Sequence, residues 1–157
     1  MKEEAIFAAG CFWGVQSAFD KLDGIMETEV GYTGGHTQNP TYESVCSDRS
    51  GHAEAVRVIF DPQIISYDAL VRKFFDIHDS TIPNRQGPDI GSQYRSAIFY
   101  KDENQKKIAE KIIAELNEGG RFSSKIITEV SKASVFYPAE DYHQKYFEKR
   151  GGGMYHI

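Results

Sequence analysis

A chain of 157 residues, 40% apolar and 26% charged, has the length and balance of one folded domain with a sizeable core, and one catalytic domain over residues 1–157 is expected. A net charge of -5 excludes a broad basic face for nucleic acid. Apolar runs of about five residues fall far short of the roughly 20 that a membrane helix needs, so neither nucleic acid nor membrane is an expected partner.

The opening Met1-Lys2-Glu3-Glu4 is charged and runs straight into an apolar stretch, so no signal peptide is expected and a cytoplasmic location is. Residues 5–9 read as a buried strand and residues 15–22 as an amphipathic helix, with Gly24 as its C-cap. Residues 25–33 read as a strand ending in the turn Gly34-Gly35. A loop through Asn39-Pro40 leads to Tyr42 and Cys46, and Ser50-Gly51 turns into a strand over 52–60. Ser66 is placed to cap a helix over 67–77, with Leu70, Val71, Phe74 and Phe75 at helical spacing. Residues 79–93 carry Pro83, Gly87, Pro88 and Gly91 and read as a long loop, a length that is functional more often than idle in a compact domain. A strand over 95–100 follows. Asp102 and Gln105 open a helix striped by Ile108, Ile112 and Leu116 and stopped by Gly119-Gly120. Residues 125–133 read as another strand, and Pro138 as the start of a last helix to about residue 150, before a flexible Gly151-Gly152-Gly153 tail. The interleaving predicts an α+β fold: a two-layer α/β sandwich with a mixed, largely antiparallel sheet and a coil-rich C-terminal tail.

Chemistry concentrates at the first strand–helix junction, Gly10-Cys11-Phe12-Trp13-Gly14. A thiol in the first turn of a helix meets unpaired backbone N–H groups and the helix dipole, both of which favour a thiolate. The only tryptophan stands two residues away beside a phenylalanine, giving the nucleophile an aromatic wall. Glu54 falls on the same strand face as Val56, Val58 and Phe60, the face expected to be buried. A buried carboxyl there is either a proton donor with a raised pKa or half of a structural ion pair. Asp89, between Pro88 and Gly91, reads on its own as a turn residue. Tyr42 and Tyr94 are loop hydroxyls, two among nine tyrosines. The five histidines follow no metal spacing, so no metal and no cofactor are expected; His143 reads as a packing residue. Cys46 reads as a small buried hydrophobe. Two cysteines are too few for a disulfide framework and point to free thiols, a structural Cys11–Cys46 bond being the alternative.

The blocks GCFWG at 10–14, GYTGG at 31–35, GHAEAVRVIFDP at 51–62 and PDIGSQYRSAIFY at 88–100, with YPAEDYHQ at 137–144, resemble the A-type peptide methionine sulfoxide reductases in order and spacing. The resemblance covers essentially the whole chain and implies the family's two-layer α/β sandwich. It implies that Cys11 is the nucleophile and Glu54 the proton donor, and that Tyr42, Tyr94 and Asp89 complete the polar side around the sulfoxide oxygen. Phe12 and Trp13 would hold the substrate's methyl group. The activity implied is thiol-dependent reduction of methionine S-sulfoxide, free or in oxidised proteins, through a sulfenic acid on Cys11, by a monomer serving protein repair. Many members carry further cysteines near the C-terminus; here residues 150–157 have none. Recycling by an external thiol, glutaredoxin with glutathione or thioredoxin, is therefore favoured over Cys46 as resolver. A cysteine acyl-transfer site and a non-enzymatic redox or methionine-binding module are the competing readings, and neither accounts for Trp13, Glu54 and Asp89 together.

Overall fold

The structure, a computed structural model, describes residues 2–149 except 48, 121 and 123. The apolar opening segment is β1 (Glu3–Ala9), at the middle of a six-stranded sheet. It passes through Gly10, whose φ of +93° suits a residue without Cβ, into α1 (Phe12–Asp20). Next come β2 (Ile25–Thr33), the short α2 (Tyr42–Cys46), β3 (Ala53–Phe60) and α3 (Tyr67–Asp76). A two-residue-stranded hairpin, β4 (Arg85–Gln86) and β5 (Asp89–Ile90), precedes β6 (Ser96–Tyr100) and α4 (Glu103–Glu118). The chain ends its described course with β7 (Glu129–Lys132), β8 (Tyr137–Pro138) and α5 (Tyr146–Lys149).

Sheet order is β7-β6-β1-β3-β2-β8, with every pairing antiparallel except β6 with β7. This is the mixed, largely antiparallel sheet expected of an α+β sandwich. Alternation along the central strands decides which face each side chain serves. Ala5, Phe7 and Ala9 of β1 and Val56, Val58 and Phe60 of β3 face the helices, where Phe19, Leu70, Phe74 and Ile112 meet them. Phe7 stacks on Phe19 with centroids 5.2 Å apart and packs on Phe74 at 5.4 Å. Ile6, Ala8, Ala53, Ala55, Ala97 and Phe99 form a thinner second core on the opposite face, covered by Ala133 and Phe136 of a connecting segment rather than by a helix.

Two helix starts stand as their sequences dictate. Ser66 Oγ accepts from Ala69 N–H at 3.1 Å, and Asp102 Oδ1 from Gln105 N–H at 2.8 Å. Several expectations are corrected. α1 ends at Asp20 with Lys21 as its C-cap, and Gly24 (φ +94°) instead turns the chain into β2. Thr41 caps α2 through a reciprocal box with Ser44, so Tyr42 opens a helix rather than lying on a loop. The segment 79–93 is not structureless, since Gly87 and Pro88 are the turn of the β4–β5 hairpin. The strand expected over 125–133 shortens to β7. Pro138 starts no helix; it closes β8 against Gly31, and a 3-10 turn over Asp141–His143 and the four-residue α5 follow it. Residue 150 and the Gly151–Gly153 tail lie outside the described residues.

Candidate active site

Cys11 is the N-cap of α1, placed where β1 leaves the centre of the sheet. The N–H groups of Trp13 and Gly14 face its sulfur and pull the thiol pKa down, as the helix start promised. Burial pushes harder the other way. With the nearby charges of Glu54 and Asp89 it raises the Cys11 pKa to about 12. The thiolate expected from the helix N-terminus alone is therefore corrected: at rest Cys11 is a thiol.

Glu54 lies on β3 directly opposite Tyr32 of β2 and is 1% exposed. Its face is the helix-side face, so a carboxyl is forced into the core where an aliphatic residue would otherwise pack. Burial lifts its pKa to about 8; the hydrogen bond from Phe12 N–H to Oε1 at 3.1 Å works against that rise, and the charge of Asp89 adds to it. The structural ion-pair alternative does not hold, because the arginine of the same strand, Arg57, pairs with Glu29 at 2.7 Å and Glu4 at 3.6 Å. At neutral pH both Glu54 and Cys11 carry their protons.

The remaining expected residues converge on this pair. Asp89 sits on β5, and its charge is felt by Cys11, Glu54 and Tyr94. Tyr94 ends a 3-10 turn over Ser92–Tyr94; burial, then the charge of Glu54, pushes its pKa up. Burial likewise raises Tyr42, whose hydroxyl donates to the Cys46 sulfur. Both phenols thus stay protonated as hydrogen-bond donors. Cys46 is exposed, not the buried hydrophobe expected, and both cysteines are free. Gln86 holds the hairpin in place: it accepts from Asp79 N–H at 2.9 Å and donates to Asp79 carbonyl at 2.6 Å. Its Cγ lies 2.9 Å from where a Cβ on Gly10 would be, so that glycine allows the hairpin to close on the cysteine.

The apolar side is Phe12, buried, and Trp13, partly exposed. Tyr146 of α5 stacks on the indole at 3.7 Å and 7°. Two residues of this neighbourhood were not singled out in the sequence, Tyr32 and Glu140, and His143 and Tyr146 were read there as packing alone. Glu140 accepts from the Tyr32 hydroxyl at 2.9 Å and from Tyr42 N–H at 3.1 Å. His143 accepts from the Trp13 indole N–H at 3.0 Å. The available signal was the density of aromatic and polar side chains between 137 and 147, in a segment too short and too irregular to show a period. Among the described residues no group of three or more His, Cys, Asp or Glu could hold a metal ion, and no helix is long and apolar enough to cross a membrane.

A carboxylic acid, two phenols and a thiol near enough to act on one another electrostatically, beside an aromatic wall, suit an oxygen that must be protonated and a sulfur that must be attacked. A family model described as peptide methionine sulfoxide reductase matches residues 3–157. A peptide methionine sulfoxide reductase MsrA from Methanosarcina acetivorans is 57% identical over 95% of this chain and 79% of its own length. Among solved structures, reduced Mxr1 from Saccharomyces cerevisiae superposes with a TM-score of 0.92 at 35% identity, covering 99% of this chain and 91% of that one. Mxr1 in complex with Trx2 matches with a TM-score of 0.66 at 26% identity, over 92% of this chain and 84% of that one.

Proposed function

The chain belongs to the peptide methionine sulfoxide reductase family and reduces methionine sulfoxide, and from that premise we propose how its site does so. The observation that carries the scheme is the buried Glu54 carboxyl, protonated to about pH 8, tied to the helix start that carries Cys11.

The substrate's S-methyl group lies against Phe12 and Trp13, and its oxygen faces Glu54, Tyr42 and Tyr94. That placement admits one epimer at sulfur, and the family resemblance implies that it is the S form. Glu54 passes its proton to the sulfoxide oxygen while the Tyr94 hydroxyl, joined by that of Tyr42 once it turns from Cys46, steadies it, and the sulfur becomes strongly electrophilic. The positive charge so created, and the carboxylate now left on Glu54, draw the proton from the Cys11 thiol. Sulfur–sulfur bond formation and transfer of the hydroxyl to Cys11 release methionine and leave Cys11 as a sulfenic acid. The balance closes: the sulfoxide gains two electrons, Cys11 loses two, and Glu54 ends protonated again. Asp89 adds negative charge beside the pair, which keeps the Glu54 proton in place until substrate arrives.

An external thiol then reduces Cys11, with a thioredoxin or glutaredoxin as donor; the Mxr1–Trx2 complex supports a donor of this class. Cys46 is held by the Tyr42 hydroxyl on the far end of α2, which supports a spectator thiol rather than a resolver. The enzyme works as a monomer, one catalytic domain over residues 1–157, in the reducing cytoplasm, where its two thiols stay free. Replacing Cys11 by Ser tests the nucleophile: dithiothreitol-driven turnover of an S-sulfoxide peptide is expected to vanish, and appreciable remaining activity would contradict the assignment.

A further inference from the structure

We infer that His143 is a positioning residue of the reductase pocket: its neutral ring holds the Trp13 indole in the plane that sizes the methyl subsite. The inference rests on the reading above that Phe12 and Trp13 hold the substrate's methyl group.

Geometry supports it from three sides. An indole nitrogen can only donate, so His143 Nδ1, 3.0 Å from Trp13 Nε1, must be unprotonated and the ring's proton sits on Nε2. The ring is 1% exposed and wedged between both pocket walls, with centroids 5.2 Å from Phe12 and 5.6 Å from Trp13. Tyr42 and Tyr142 cover its other sides at 4.6 and 4.1 Å. Among the described residues the buried Nε2 has no hydrogen-bond partner. Filling space alone would not call for a histidine, because a leucine or phenylalanine would fill it without leaving a buried N–H unpaired. What the histidine supplies, and those residues cannot, is an acceptor for the indole. Tyr146 fixes the indole by stacking on its face, but stacking leaves it free to slide in its own plane. The bond to His143 removes that freedom, and with it the room for a larger alkyl group.

The test uses sulfoxides differing by one methylene: peptides carrying methionine S-sulfoxide or ethionine S-sulfoxide. A pocket closed by fixed walls separates them by about 10-fold or more in kcat/KM, the usual reach of one methylene. His143→Leu is expected to narrow that ratio to about 2-fold, chiefly through KM, and to shift the emission of the single tryptophan. His143→Asn, which keeps an acceptor near the Nδ1 position, is expected to retain most of the ratio and the wild-type emission. An unchanged ratio in His143→Leu, or equal losses in both variants with the ratio intact, would overturn the inference. If His143→Leu does not fold, the wild-type protein still decides: its one indole N–H should exchange slowly with solvent, and rapid exchange would overturn the bond itself. A wild type that accepts both sulfoxides equally would instead sink the pocket reading on which the inference stands.

Discussion

Glu54 and Cys11 meet the substrate with both protons in hand, and the order in which they give them up sets the pH behaviour. Because Glu54 must be protonated to donate, kcat/KM is expected to fall as pH rises through about 8. Glu54→Gln should slow reduction by about 10²–10⁴-fold, the range for losing a general acid, and should abolish that alkaline limb. A pH–rate profile of the variant checks both, and an unchanged rate would assign the proton to another group. At this scale the sequence was partly legible. Strand alternation alone placed Glu54 on the buried face, and the glycines around Cys11 marked a close turn. The protonation state of Cys11 was not legible, because it is set by the balance of helix N–H groups against burial and two carboxyls from other elements. A dipole argument sees only the first of these.

The segment after β8 works as a strap that ties the site to the sheet edge. Gln144 does this with one side chain: it accepts from Val30 N–H at 2.9 Å and donates to the carbonyls of Val30 at 2.9 Å and Ala139 at 3.1 Å. Lys145 adds a backbone bond to Gln16 at 2.7 Å and a side-chain pair with Asp20 at 2.8 Å, fastening the strap to α1. Gln144→Ala leaves the buried Val30 N–H unpaired and is expected to cost about 2 kcal/mol. Chemical denaturation should show that loss, and trypsin should cut sooner after Lys145 and Lys149. An unchanged midpoint and cleavage rate would mean that the strap is held elsewhere. The strap explains why the end of the chain was misread. Pro138 looks like a helix start because proline is common there, but the hydrogen bonds that place 137–144 run to β2, more than 100 residues away. Elements with local causes, such as β2, α3 capped by Ser66 and α4 capped by Asp102, were legible almost to the residue. α2 and the β4–β5 hairpin were hidden inside stretches whose Pro, Gly and Asn content also describes loops.

For the molecule as a whole, two buried groups give stability an opposed pH dependence. Glu54 has a folded pKa of about 8 against an ordinary 4.5, so the folded state holds the extra proton and stability falls as pH rises through that window. His78 Nδ1–H donates to the Phe74 carbonyl and Nε2 accepts from the Ser96 hydroxyl, both at 2.7 Å, and burial lowers its pKa from 6.5 to about 4. There the unfolded chain holds the extra proton, so stability rises with pH between about 4 and 6.5. Between 4.5 and 6.5 the two slopes cancel. Burial also lowers the His143 pKa, so the melting temperature should rise gently there, and it should decline from pH 6.5 to 8 by the equivalent of about 2 kcal/mol. In Glu54→Gln that decline should vanish, and the rise between about pH 4 and 6.5 that Glu54 offsets in the wild type should appear in full. A wild-type melting temperature that climbs from pH 6.5 to 8 would contradict a buried, protonated Glu54. The central claim, that one thiol takes the oxygen from one epimer, is tested most directly by a single turnover without reductant, using separated S and R methionine sulfoxide peptides and a sulfenic-acid trap. The expected result is one methionine per chain from the S peptide alone, with the trap on Cys11. Reduction of the R peptide, a trap on another residue, or a quantitative Cys11–Cys46 disulfide would contradict it.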